Sequence, residues 1–124
     1  MSLQVGDIIS FDRTFTVEDV EMFTKVSGDA GEHHITPDEQ GRLVIQGLLT
    51  ATLPTKIGGD HNVLARTVNF EFLRPVYSGD TITCEVTIEK FEKKENRISI
   101  MSSFLCTNQN KKQVLSGSFA GVIL

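Results

Sequence analysis

The chain has 124 residues, 40% hydrophobic, 7% aromatic and 23% charged, enough for one domain around one core and unlike a disordered segment. Its net charge of -4 and pI near 5.3 argue against a duplex nucleic-acid binder, which needs a basic surface to displace counterions. No stretch approaches the roughly 18 apolar residues of a membrane span, and the opening MSLQVGDIISF lacks the basic-then-apolar pattern of a signal peptide. The expectation is a single domain over 1–124, cytoplasmic, with no membrane or nucleic-acid partner. Cys84 and Cys106 have no metal-ligand spacing and sit in strand-like alternation, so they read as buried thiols in a reducing compartment.

A short extended lead-in at Asp7 to Phe11 comes first. The segment FTVEDVEMFTKVSGD then predicts a helix. Thr16 and Asp19 have capping-box spacing, Phe15 can staple onto Val20, and Val17, Val20, Phe23 and Val26 form an apolar stripe. Gly28 supplies a left-handed stop. Asp29 to Arg42 is polar and reads as a loop. From Leu43 the chain turns apolar, and LVIQGLLTATLPTKIGG predicts a helix buried on most sides, bent or broken near Pro54 and ended by Gly58 and Gly59.

The remainder reads as strands. Val68, Phe70 and Phe72 alternate, as do Ile82, Cys84, Val86 and Ile88; Ile98 and Ile100 open a third run, and Val114 to Leu124 a fourth. Polar turns at Ser78 to Asp80, Glu92 to Asn96 and Thr107 to Lys112 separate them. Short turns between successive strands favour antiparallel hairpins. The fold class is therefore α+β, an antiparallel sheet wrapped around a buried helix.

Two features bear chemistry. SGDAGEHH runs a helix end into a loop holding Asp29, Glu32, His33 and His34, where a carboxylate and an imidazole five positions apart can converge on one water. The alternative is that Asp29 satisfies backbone donors in a turn while the histidines are solvated. At Gln46-Gly47, which opens the buried helix, the glycine either lets a ligand approach backbone N–H groups or serves close packing alone. A metal site among Asp29, Glu32, His33, His34 and His61 is not expected, because the spacing matches no zinc motif.

The ordered set FTxxDVxxFxxxSGD, His34, VIQGLLTATL and FxFLRPVYSGDTI resembles the MaoC-like dehydratases, particularly the (R)-specific enoyl-CoA hydratases, from Phe15 to about Ile88. The resemblance implies the hot-dog fold, a homodimer that joins two sheets, and a lyase acting in fatty-acid metabolism on 2-enoyl-CoA and (R)-3-hydroxyacyl-CoA. No cofactor is implied beyond the coenzyme A of the substrate. Residue by residue, it makes Asp29 and His34 the catalytic pair, Gly47 the backbone donor to the thioester oxygen, and Thr55 the counterpart of a supporting Ser. The chain departs from the family at Gly31 and Glu32, which replace Asn and Pro, and at Gln46, which replaces His. It also shortens the segment from Ile35 to Val44, which carries no aromatic residue. The rival readings are a hot-dog thioesterase and a non-catalytic acyl-CoA-binding module.

Overall fold

The computed structural model describes residues 3–124. In chain order the elements are β1 (Ile8–Thr14), α1 (Val17–Ser27), α2 (Glu32–Ile35), α3 (Gly47–Thr50), α4 (Thr52–Asp60), β2 (Val63–Phe72), β3 (Thr81–Lys94), β4 (Arg97–Thr107) and β5 (Gln113–Ile123). The five strands form one antiparallel sheet in the order β1-β3-β4-β5-β2. Helix α4 packs against β1, β2 and β3. Since β1 and β2 are opposite edges, about 19 Å apart in a flat five-stranded sheet, a helix about 10 Å across reaches both only if the sheet curls around it. This is the hot-dog fold, an α+β architecture.

Period-two burial drives the curl. Ile82, Cys84, Val86 and Ile88 all point inward from β3, while Thr83, Glu85 and Thr87 face out. Ile100, Phe104, Cys106, Leu115 and Phe119 extend the same face, and Leu53 and Ile57 of α4 press into it. Each fully buried Leu or Ile contributes roughly 1.5–3 kcal/mol. Cys84 and Cys106 are direct partners across β3 and β4, both buried and unoxidised. The neighbouring Cys106 thiol, together with burial, pushes the Cys84 thiol above the ordinary range, so Cys84 is not a ready nucleophile.

Helix α1 begins with the expected capping box: Asp19 N–H donates to Thr16 Oγ1 at 3.2 Å and Thr16 N–H donates to Asp19 Oδ2 at 2.9 Å. Phe15 and Val20 lie in one core cluster, as the staple requires, and Gly28 closes the helix at φ 76°. The stripe is narrower than expected. Val20 is buried and Phe23 half-buried, but Val17 and Val26 are exposed. Residues three apart advance 300° around a helix, so each step walks back 60° and the ends of a four-member series face opposite ways. Only the middle pair meets the core.

Four further boundaries differ from the sequence reading. The loop from Asp29 to Arg42 contains α2, a single turn closed by His34 N–H donating to the Gly31 carbonyl. The buried helix breaks at Ala51 rather than at Pro54, which sits third in α4, where its missing N–H lies among the donors that no helix pairs. Gly58 and Gly59 stay helical, and α4 runs to Asp60, with the His61 ring bonding the Ile57 carbonyl and Asn62 taking the left-handed conformation. The charged Glu92-to-Asn96 stretch is mostly strand: Lys94 pairs with Arg97, leaving a two-residue connection. Its long polar side chains are solvated on an exposed ribbon, so nothing interrupts the backbone ladder.

Replacing Thr16 by Ala removes the side-chain half of the capping box. The expected cost is about 1 kcal/mol, or roughly 4 °C in Tm for a chain of this size. Thermal unfolding followed by circular dichroism checks it, and an unchanged Tm shows that the cap contributes nothing.

Candidate active site

The loop after α1 positions Asp29. Its N–H donates to Ser27 Oγ at 3.0 Å, and its Oδ1 accepts the Gly31 N–H at 3.3 Å. One turn of α2 later comes His34, buried although it carries an imidazole. The ring Nδ1 lies 2.6 Å from the Val44 carbonyl, and Val44 N–H donates back to the His33 carbonyl at 2.9 Å. A carbonyl can only accept, so Nδ1 carries a proton and the ring turns Nε2 to the other side. That Nε2 faces Asp29 Oδ2 at 3.5 Å. At this separation the two atoms can share a proton or hold one water between them.

The pair opens into a cleft of about 680 Å³ also lined by Gly47, Leu48, Phe72 and Val76. Gly47 is the first residue of α3, so its N–H has no acceptor within the helix. A Cβ there would meet the Phe72 ring at 2.6 Å. Glycine thus packs closely against the Phe72 ring at a position that also lines the cleft.

Thr55 is not brought to this cleft. Its hydroxyl donates to the Thr52 carbonyl at 2.9 Å, and the residue lines a separate hollow of about 90 Å³ with Val68, Phe104 and Phe119. His61 is likewise elsewhere, its ring spent on the Ile57 carbonyl. His33 lies at the cleft against the His34 ring, with centroids 3.9 Å apart. Glu32 accepts from the Thr36 hydroxyl at 3.2 Å. A side chain in place of Gly31 would approach the His33 ring at 3.1 Å, so the residue that departs from the family pattern is matched to the histidine stack.

The short segment after α2 closes on itself. Asp38 accepts the N–H groups of Gln40 and Arg42 and pairs with the Arg42 guanidinium at 3.0 Å, while Arg42 also lies over the Tyr77 ring. The Arg42 backbone N–H is the main cause holding the Asp38 carboxyl below its ordinary value of 3.8. Leu43 turns into the core. Neither Arg42 nor Leu43 lines the cleft.

Two contacts at the site were not foreseen from the sequence. The Val44 carbonyl is a backbone group that any residue supplies. Gln46 is fully buried, and its amide reaches both the Asp29 carbonyl and Thr24 of α1.

The FAS1-like dehydratase domain region matches residues 14–116. The chain belongs to this family. A mitochondrial 3-hydroxyacyl-(acyl-carrier-protein) dehydratase of Arabidopsis thaliana is 27% identical over 130 residues, covering 98% of this chain and 78% of that protein. The (R)-hydratase of A. caviae involved in PHA biosynthesis superposes with a TM-score of 0.86 at 23% identity, over 99% of this chain and 98% of that one. R-hydratase PhaJ1 of Pseudomonas aeruginosa gives 0.85 at 21% identity, over 98% and 81%. This MaoC-like dehydratase is thus a member of the hot-dog hydratases and dehydratases. Among its described residues no helix is long and apolar enough to cross a membrane.

Proposed function

We propose that this dehydratase interconverts 2-enoyl-CoA and (R)-3-hydroxyacyl-CoA, with Asp29 and His34 as the acid–base pair and Gly47 N–H as the donor to the thioester oxygen. The observation that carries the reading is Asp29 Oδ2 facing His34 Nε2 at 3.5 Å on the wall of a cleft that Gly47 also lines. Water held by both groups presents its oxygen lone pair to C3 of the enoyl group. As the C3–O bond forms, the electrons of the C2=C3 bond move towards the thioester oxygen, where the Gly47 N–H stabilises the enolate. The proton leaving the water resides on the Asp29–His34 pair and is the one delivered to C2 on the same face. Dehydration retraces these steps, and the scheme calls on no group beyond the chain and the coenzyme A of the substrate.

Loss of crotonyl-CoA absorbance, run beside a free-thiol assay, separates hydration from thioester hydrolysis. The same enoyl group on acyl carrier protein tests the carrier, since the plant relatives are named for that substrate. Asp29→Asn and His34→Ala are each expected to lower turnover on the order of 100- to 10,000-fold while the fold remains intact. Near-wild-type rates in both would remove the pair from the mechanism.

The same reading includes a homodimer. Strand β2 is a sheet edge with unpaired backbone groups, and it exposes Leu64, Val68 and Phe72, which a second β2 would cover. Phe72 also borders the cleft, so the partner would lie beside its mouth. Light scattering across the micromolar range is expected to give twice the mass of 13.7 kDa, and a monomer mass would overturn this.

Chain-length preference follows from the cleft wall. With Arg42 held by Asp38 and Leu43 in the core, Val44 alone of the shortened segment lines the pocket and no bulky side chain closes it, and each additional buried methylene is worth roughly 0.8 kcal/mol. The value of kcat/KM is expected to hold or rise across a four- to ten-carbon enoyl-CoA series. A steep fall already at six carbons would refute the open pocket.

A further inference from the structure

Among the described residues Gln46 is the largest polar side chain that is fully buried, 1% exposed, and it forms part of the cleft wall. Its Nε2 lies 2.9 Å from Thr24 Oγ1 and 3.3 Å from the Asp29 carbonyl oxygen. The orientation of the amide is determined by these neighbours. Thr24 spends its own proton on the Val20 carbonyl at 2.8 Å, so its oxygen can only accept, and the Asp29 carbonyl has no proton to give. Both neighbours demand a donor, and only the NH₂ end of the amide provides two. The opposite end, Oε1, is buried with no partner among the described residues. Such an orphan acceptor disfavours burial, so what retains the amide is its nitrogen end.

The backbone of Gln46 is equally committed. It is the N-cap of α3, and its carbonyl accepts Leu49 N–H at 2.9 Å and Thr50 N–H at 3.2 Å. One residue therefore joins three pieces: the last turns of α1, the loop that carries Asp29, and the helix start whose next residue is Gly47. Asp29 has few other restraints. Its carboxylate is about half exposed, and its loop holds it by single contacts to Ser27 and Gly31.

We infer that Gln46 is a positioning residue, its amide setting where the Asp29 loop stands relative to His34 and the Gly47 N–H. This rests on the reading of Asp29, His34 and Gly47 given above. With 1% of its surface exposed, Gln46 acts through the Asp29 carbonyl rather than on the substrate. Removing the tether leaves the Asp29 loop free to drift, and misplacement of a reacting group by about 1 Å costs on the order of 100-fold in rate. The loss falls chiefly on kcat, because a residue 1% exposed contributes little of the cleft surface that meets the acyl group.

The test uses the full chain with crotonyl-CoA and three variants. His34→Ala reports on the pair itself. Gln46→Met keeps the volume and removes both donors; kcat is expected to fall about 10- to 100-fold, with KM within about 3-fold of wild type. Gln46→Glu keeps the shape and regains one donor when its carboxyl is protonated. Its activity is expected to approach wild type on the acid side and to fall towards that of Gln46→Met as pH rises, through an ionisation absent from the other proteins. Asp29, His33, His34 and Arg74 also line the cleft and are shared by wild type and both Gln46 variants, so only the added ionisation is diagnostic. Melting curves at each pH keep unfolding separate, and if Gln46→Met does not fold, the Gln46→Glu profile decides alone. An inactive wild type, or full activity in His34→Ala, overturns the active-site reading and the positioning role together. An inactive His34→Ala alongside unchanged kcat in Gln46→Met overturns the positioning role alone, as does a Gln46→Glu profile that parallels wild type.

Discussion

Burial of the α3–α4 segment beneath the curled sheet is the constraint on which the rest depends. Leu49, Leu53 and Ile57 give the segment its apolar body, and both edges of the sheet reach α4. A helix enclosed in this way must leave the core at a defined point, and the point is Gln46-Gly47. The start of α3 is therefore held at the base of the cleft by the same packing that stabilises the domain. The break at Ala51 belongs to this arrangement, since Leu49 and Leu53 remain buried on either side of it.

Against that fixed helix start, the loop after α1 is arranged by hydrogen bonds whose direction is forced. The Val44 carbonyl accepts only, which sets the protonated nitrogen of His34 and turns the other towards Asp29. The Asp29 carbonyl and Thr24 accept only, which sets the amide of Gln46. Polar groups sealed from water have few satisfactory orientations, so such contacts determine ring and amide geometry more tightly than shape alone would. The carboxylate of Asp29 is left facing the cleft, where an incoming hydroxyl or water can reach it.

The departures from the family pattern lie beside these contacts. Gly31 makes room for the His33 ring, and Gln46 stands at the helix opening with both amide hydrogens in use. The shortened segment after α2 is tied off by Asp38 and Arg42 outside the cleft. The substitutions thus have local partners of their own and leave the Asp29–His34 opposition in place.

The fold was legible in the sequence wherever a local rule sufficed. Period-two alternation in Thr81–Lys94, the Thr16–Asp19 box and the left-handed Gly28 each depend on residues within a few positions of one another, and each reads directly from the chain. The ordered motifs likewise carried the family and the spacing of Asp29 to His34. Tertiary structure alone decided which faces of α1 meet the core, where the buried helix breaks, and that Thr55 lines a different hollow from Asp29. It also decided the partners of His34 and Gln46, which come from Val44, Thr24 and Asp29, 10 to 22 positions away. Such pairings have no periodicity, because a backbone carbonyl looks the same in every residue, and only the folded path of the chain brings one to a particular side chain.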